Sequence, residues 1–161
     1  MIIREARLED VDAIREVSDR AFRRLKTMGF DGIREKKSIV RFITSDDFRV
    51  YVVEEDGKVI GFGMLRVKNI NQRFRFDRLE DPPIKDRENY AYLMYIAIDP
   101  DYQGRGYGKK LMKFLIEEAK RLGKKGMFGE FTTASPGAIR LAEKFGGKKV
   151  VADVRYKFDF D

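Results

Sequence analysis

The chain has neither cysteine nor histidine among its 161 residues. Without cysteine it forms no disulfide and no covalent thioester intermediate, and without histidine it lacks a common zinc ligand and every His-based catalytic triad. We therefore expect no metal site. Any catalytic proton transfer must use carboxylates, tyrosines, lysines or water.

Long apolar runs are missing as well. The N-terminus "MIIREARLED" has no apolar segment of the kind found in secretory signals. No stretch approaches the roughly 18 apolar residues that a membrane span needs. These features predict a cytoplasmic protein that does not contact the membrane.

Charged residues make up 38% of the chain and hydrophobic residues 43%, which is typical of a folded globular protein. We expect one domain over residues 1–161. The net charge of +7 favours anionic ligands. Abundant Lys, Arg and Glu resemble the composition of thermophile proteins. Scattered acidic residues argue against a nucleic-acid binder, although "RFRFDR" and the positive charge keep that alternative open.

Periodicity predicts a mixed α/β order. Strands are predicted at 2–7, 90–98 and 126–134, and a strand or a hairpin at 148–160. A hairpin is predicted at 48–67 around Asp56-Gly57, a strong turn signal. Helices are predicted from Val11 to Leu25 and at 35–43, 108–122 and 135–145. In the helix at 108–122, an apolar stripe is predicted at Leu111, Leu115, Ala119 and Leu122. Residues 69–89 are predicted to form a long loop, of a length that is typical of functional or mobile loops. Alternation along 90–98 places Tyr90 and Tyr92 on one face, and Tyr95 on the opposite face in the core.

The stretch "IDPDYQGRGYGKKLM" (98–112) is typical of an anion-binding turn. A strand ends, glycines follow, and a helix begins, so that free amide groups and the positive end of the helix meet at one place. The stretch does not match the phosphate-binding Walker pattern, because residue 103 is Gln where that pattern needs Gly and residue 110 is Lys where it needs Ser or Thr. A dinucleotide fingerprint fails because residue 109 is Lys. The alternative is that the glycines form only a tight turn.

The pattern that fits is Gln/Arg-x-x-Gly-x-Gly/Ala, at Gln103, Gly106 and Gly108. With "IIREARLEDVDAIREV", "VYVVEEDGKVIGFGML" and "AIRLAEKFGG", it resembles the GCN5-related N-acetyltransferase (GNAT) family over nearly the whole chain. The resemblance implies a mixed, mostly antiparallel sheet with splayed central strands flanked by helices, and acetyl-CoA as co-substrate. It implies cofactor contacts at Ile96, Ala97, Ile98, Gln103, Gly104, Arg105, Gly106, Tyr107, Gly108, Lys109 and Ser135.

The resemblance also suggests catalytic residues. Glu130 in "GEF" matches a family base position found in enzymes that acetylate protein N-termini, and Tyr92 matches another base position. The alternative for Glu130 is a solvated strand carboxylate, and the alternative for Tyr92 is packing. The family's usual acid, a tyrosine on the late helix, is replaced here by Ala142, and its frequent Asn by Ser135.

We therefore expect direct acetyl transfer from acetyl-CoA to a primary amine in a ternary complex. The acceptor predicted first is a protein N-terminus or a lysine, and a small amine such as a polyamine or an aminoglycoside is the alternative. A second hypothesis, motivated by Ala142 and Ser135, is a CoA-binding module without turnover. A homodimer through the C-terminal strands is a further expectation.

Overall fold

A seven-stranded sheet organises the computed structural model, which describes residues 1–28, 32–70, 86–131, 135–151 and 155–160. The strand order is β1-β2-β3-β4-β5-β7-β6. β4 and β5 run parallel, and every other neighbouring pair among the described strands is antiparallel. The strands are β1 Ile2–Glu5, β2 Phe48–Glu55, β3 Lys58–Arg66, β4 Tyr90–Ile98, β5 Gly126–Glu130, β6 Lys148–Val151 and β7 Arg155–Asp159. The helices are α1 Val11–Phe22, α2 Lys36–Thr44, α3 Tyr107–Arg121 and α4 Pro136–Lys144.

The β2–β3 hairpin follows directly from its turn residues. Asp56 and Gly57 both take left-handed conformations, with φ of 49° and 75°. Two such residues in succession are the signature of the turn whose twist matches that of a hairpin. The prediction from Asp-Gly is therefore confirmed.

Helices cover both faces of the sheet. On one face, α3 buries Leu111, Leu115 and Ala119 completely against β4 and β5. On the other face, α1 and α2 pack on β2 and β3 through a second apolar cluster that includes Ile14 and Ile39. The apolar stripe predicted for α3 is confirmed, and each helix stays in place because its apolar face is removed from water.

The central strand β4 contains a bulge that corrects one prediction. Its register with β3 shifts between Met64 and Leu65, which oppose Tyr95 and Leu93, so Met94 is the additional residue. A bulge reverses the alternation of side chains beyond it. Tyr95 therefore contacts Phe62 on the face that carries α1 and α2. The prediction that Tyr95 lies on the face opposite to Tyr92 is wrong.

The ends of the predicted loop 69–89 are held together by one lysine. Residues 71–85 lie outside the described residues. The Lys124 ammonium donates to the carbonyl oxygen of Val67 at 2.6 Å and to that of Glu88 at 2.7 Å. Partial burial lowers the pKa of Lys124. Val67 and Glu88, on the two sides of the segment, are thus joined by one side chain.

The first strand is attached to the sheet by an arginine with two carboxylate partners. Arg4 donates two hydrogen bonds to Asp10, at 2.8 and 2.9 Å, and one to Glu54 at 2.9 Å. The Asp10 carboxylate also accepts the Arg7 amide at 2.7 Å. The hydrogen bond from Arg4 is the largest of the effects that lower the pKa of Asp10.

The Asp10→Asn substitution is expected to remove part of the acid sensitivity of the fold. A carboxyl with a lowered folded-state pKa stabilises the fold above its unfolded value, about 3.9, and the stabilisation is lost as pH falls through the folded value. The variant should be less stable than the wild type at neutral pH, and its free energy of unfolding should change less below about pH 4. Urea denaturation at several pH values measures this. Equal pH dependence in the two proteins would contradict the assignment.

Candidate active site

The parallel strands β4 and β5 separate halfway along β4. Their pairing runs from Tyr90 opposite Gly126 to Leu93 opposite Gly129. Beyond Leu93, β4 continues to Ile98 and pairs with β3 in the part of the chain described. Among the described residues, the pairing of β4 with β5 thus ends at Leu93, as expected for splayed central strands, and leaves a gap on the β5 side of β4.

Amide groups of β4 face this gap. The Asp99 amide donates to the Ile60 carbonyl at 2.7 Å, which makes Asp99 and Ile60 a hydrogen-bonded antiparallel pair. Because such pairs alternate with pairs whose N–H groups point outward, the amides of Ile98 and Ile96 point away from β3. The amide of Ala97, between them, points towards β3. Two main-chain donors thus line the gap.

The turn after β4 brings the start of α3 to the same end of the strand. Gly104 and Gly106 have φ of 77° and 87°, backbone angles that residues other than glycine rarely adopt. The first hydrogen bond of the helix joins the Lys110 amide to the Gly106 carbonyl at 3.1 Å. The amides of Tyr107, Gly108 and Lys109 therefore have no acceptor within the helix, and they lie at its positive end.

Gly108 distinguishes the two explanations of the glycine stretch. A Cβ atom built on it would lie 3.9 Å from its nearest neighbours, side-chain atoms of Ile98 and Leu141. That is an ordinary contact distance, and Gly108 is not among the glycines with positive φ. The turn explains Gly104 and Gly106, but the described residues give no reason for glycine at 108. A close approach of another molecule to the backbone is a reason of the required kind.

Gln103 contributes to the turn itself. Its side-chain amide donates to the Ile98 carbonyl at 2.9 Å and so closes the end of β4. Its main-chain amide donates to the Pro100 carbonyl at 3.4 Å. Gln103 therefore shapes the turn through both groups, and the amides after Gly106 are better placed to bind an external anion.

Positive charge collects around the turn. Arg105 and Lys58 both lie over the ring of Tyr102, at 5.4 and 5.6 Å from its centre. The neighbouring Lys144 ammonium lowers the pKa of Lys109. The positive charges of Lys109 and Lys144 repel each other, so an anion bound between these two side chains would be stabilised.

Glu130 lies where the strands part. It ends β5, one residue beyond the last β4–β5 pair, Leu93 with Gly129. Along β5, Met127 packs in the cluster on the α3 side and Phe128 on the opposite face. Alternation then places the half-buried Glu130 on the face of Phe128. A carboxylate therefore borders the gap on the face away from α3.

Tyr92 lies on that same face and is 7% exposed. Its ring stacks on Phe128, with centres 4.9 Å apart and an angle of 26°. Ile70 and Tyr90 complete this small cluster. Packing accounts for much of the position of Tyr92, and its assistance in catalysis stays a prediction.

The late helix supplies no tyrosine to the gap at the expected position. Ala142 is fully buried in the cluster on the α3 side. Ser135 precedes α4, and its carbonyl accepts the Ala138 amide at 3.0 Å, while its side chain makes no capping hydrogen bond among the described residues. The contact of Ser135 with a cofactor stays a prediction.

Two further findings concern the described residues as a whole. None of their helices has the length and apolar character needed to cross a bilayer. Nor do three or more of their Asp and Glu side chains gather where they could hold a metal ion.

The sequence model of the Acetyltransferase (GNAT) family matches residues 11–147. The chain belongs to this family. The matched range includes the turn after β4 (residues 99–106, the glycine turn), the gap beside β4, and Glu130. The residues predicted for the site therefore belong to the GNAT domain.

Relatives within the GNAT family act on different amines. The chain is 39% identical over 56 residues to the [ribosomal protein bS18]-alanine N-acetyltransferase of Escherichia coli, a match of 35% of this chain and 38% of that enzyme. It is 27% identical to the L-amino acid N-acyltransferase MnaT of Escherichia coli, over 91% of this chain and 78% of that enzyme. The PaiA N-acetyltransferase of Thermoplasma acidophilum, crystallised with coenzyme A, has a TM-score of 0.70 at 18% identity, covering 99% and 98% of the two chains. This last likeness shows a common fold.

Proposed function

We propose that this GNAT protein transfers the acetyl group of acetyl-CoA directly to a primary amine. The observation that supports this best is the gap beside β4, into which the amides of Ile96 and Ile98 point. The gap begins on the strand that leads into the glycine turn. A ligand with a thioester at one end and a pyrophosphate at the other matches a site that has donors at both places.

In this proposal, main-chain groups bind the donor. The amides of Tyr107, Gly108 and Lys109, with the turn at Gly104, Arg105 and Gly106, would hold the pyrophosphate at the positive end of α3. Ile98 would pair with the pantetheine arm. The Ile96 amide would donate to the thioester oxygen, which gains negative charge as the amine attacks.

The acceptor would approach from the face that carries α1 and α2. Glu130 borders the gap there, and it would remove a proton from the amine through a water molecule, with Tyr92 assisting. No general acid is assigned, because Ala142 is buried where the family's tyrosine is expected. A thiol has a pKa of about 8.5, so a leaving thiolate needs less protonation than a leaving alkoxide would.

We further propose that the acceptor is an α-amino group. Both relatives described above act on such a group, one on a ribosomal protein alanine and the other on L-amino acids. The α-amine of a peptide has a pKa near 7.7–8.0, whereas that of a lysine is about 10.4. A larger fraction of the α-amine is therefore neutral near pH 7. Fewer acceptor molecules then need a base such as Glu130 to remove a proton.

Calorimetric titration with acetyl-CoA tests the donor site, with ATP and NAD as controls for any phosphate ligand. Turnover is then measured as released CoA with a thiol reagent, and the chain itself gives no signal because it has no cysteine. The acceptors compared are a peptide with a free N-terminal alanine, a free amino acid, and an N-terminally blocked peptide that contains lysine. Acetylation of only the blocked peptide would overturn the α-amine assignment. Binding without any product would favour the CoA-binding module.

The Gly108→Leu variant is expected to lose acetyl-CoA affinity by tenfold or more, on the order of 1.4 kcal/mol, without loss of fold. An added Cβ atom meets only ordinary contacts in the free protein, and we expect the rest of the leucine side chain to occupy the space above the amides of α3. Calorimetry measures the affinity and thermal unfolding checks the fold. Lys113→Leu, at an exposed position of the same helix, is the control. Unchanged affinity would remove Gly108 from the binding site.

A further inference from the structure

Arg20 of α1 reaches across the molecule to the turn that follows β4. One nitrogen of its guanidinium, Nη1, donates to Asp99 at 2.9 Å, and the other, Nη2, donates to Asp101 at 2.8 Å. The Asp99 side chain is 3% exposed and that of Asp101 is 68% exposed. A single cation therefore joins an inner and an outer carboxylate of the same turn.

The inner partner, Asp99, determines the path of the chain at the start of the turn. Its second carboxylate oxygen accepts the Asp101 amide at 2.9 Å, and its carbonyl accepts the Tyr102 amide at 2.8 Å. Its own amide is bonded to Ile60. A buried carboxylate needs a charged or hydrogen-bonding partner for each oxygen, and Arg20 is the partner of the oxygen that faces α1.

The later part of the turn contains two glycines, which leave its backbone more conformational freedom. It continues through Gly104 and Gly106, both left-handed, and glycine is the residue with the largest conformational freedom to lose. Amides that bind an anion are effective when they are already fixed in position. A constraint at the start of the turn therefore matters for the amides at its end.

We propose that Arg20 is a positioning residue for the pyrophosphate of acetyl-CoA. It holds Asp99 and Asp101 so that the amides of Tyr107, Gly108 and Lys109 are presented in one arrangement. Because α1 lies on the face from which the amine approaches, Arg20 also connects the acceptor side of the site to the donor side. The inference rests on the proposed function, since it assigns a role in the same site.

The test compares two donors that share the acetylated arm and differ in the pyrophosphate. Arg20→Met is expected to weaken acetyl-CoA binding about tenfold, because hydrogen bonds of a charged group to the turn are lost. Binding of S-acetylpantetheine, which lacks the nucleotide and its phosphates, is expected to stay within about twofold of the wild-type value. Calorimetry measures acetyl-CoA, and amide NMR titration measures the weaker ligand.

Two further variants separate positioning from charge and from general stability. Arg15→Met removes one positive charge from the same helix, where Arg15 pairs with Asp19 near the surface, and it should bind both donors like the wild type. Arg20→Lys should fall between the wild type and Arg20→Met, because an ammonium cannot bridge both carboxylates with the geometry of a guanidinium. If Arg20→Met does not fold, Asp101→Asn, which alters only the exposed arm, should still lower acetyl-CoA affinity selectively.

The outcomes are distinct. Equal loss of affinity for both donors would show a structural role and overturn the inference. So would unchanged acetyl-CoA binding by Arg20→Met or, should that variant not fold, by Asp101→Asn. In either case the proposed function stands, provided that the wild type binds acetyl-CoA in the same experiment. Failure of the wild type to bind acetyl-CoA at all would instead overturn the proposed function, and the role of Arg20 with it.

Discussion

The Glu130→Gln variant is expected to lower kcat by about a hundredfold at neutral pH, the usual contribution of a general base. Glutamine keeps the size of the side chain but cannot take up a proton. Affinity for acetyl-CoA should be unchanged, because the donor contacts proposed above are main-chain groups of β4 and α3. Steady-state kinetics with a peptide α-amine, together with calorimetry, measures both quantities.

The pH dependence adds a second criterion. Above about pH 8 most of a peptide α-amine is already neutral, so the defect of the variant should shrink as pH rises. Glu117→Gln is the matched control, because Glu117 is an exposed carboxylate on the outside of α3 that pairs with Lys120. Turnover of Glu130→Gln equal to that of the wild type at every pH would remove Glu130 from the mechanism.

The Gly126→Ala substitution is expected to destabilise the fold by about 3 kcal/mol, the upper range for forcing extra volume into a packed interior. A Cβ atom there would overlap the ring of Tyr90 and the carbonyl oxygen of Phe158. The carbonyl belongs to β7, the strand paired with β5, and cannot move without breaking the sheet. Urea denaturation at neutral pH measures the change in the free energy of unfolding.

Gly137→Ala is the control for this substitution. Gly137 lies in α4, and the nearest atom to an added Cβ is the end of the Arg140 side chain, at 3.9 Å. Alanine is preferred to glycine in a helix by roughly 0.5–1 kcal/mol, so this variant should equal or exceed the wild type in stability. A similar effect of the two substitutions would mean that crowding at Gly126 is not the cause.

Local sequence signals predicted the elements that local chemistry determines. Asp56-Gly57 predicted the hairpin because two left-handed residues are needed there. The spacing of Leu111, Leu115 and Ala119 predicted the buried face of α3. The glycines after β4 predicted the position of the turn, because unusual backbone angles leave a residue-type signature. Its binding of an anion stays a proposal.

Features that depend on contacts between distant elements were outside the reach of the pattern. Nothing local to Met94 marks it as a bulge, since the shift appears only in its register with β3. Consequently the face of Tyr95 was predicted wrongly. The contact between Arg20 and Asp99 joins residues 79 positions apart, and an arginine late in a helix has an adequate local explanation in the helix dipole.

The contacts of Lys124 with Val67 and Glu88 have a consequence for the length of the segment that they close. Once the two ends of a loop are fixed together, the closure entropy rises only slowly with length, by about 0.6 kcal/mol for each doubling. The number of residues between Ile70 and Asp86 can therefore change at a small cost in stability, as long as Ile70 keeps its buried place beside Tyr90 and Tyr92. Strand β4, which carries the amides of Ile96 and Ile98, would keep its place in the sheet, because the Lys124 ammonium holds the two flanks of the segment together.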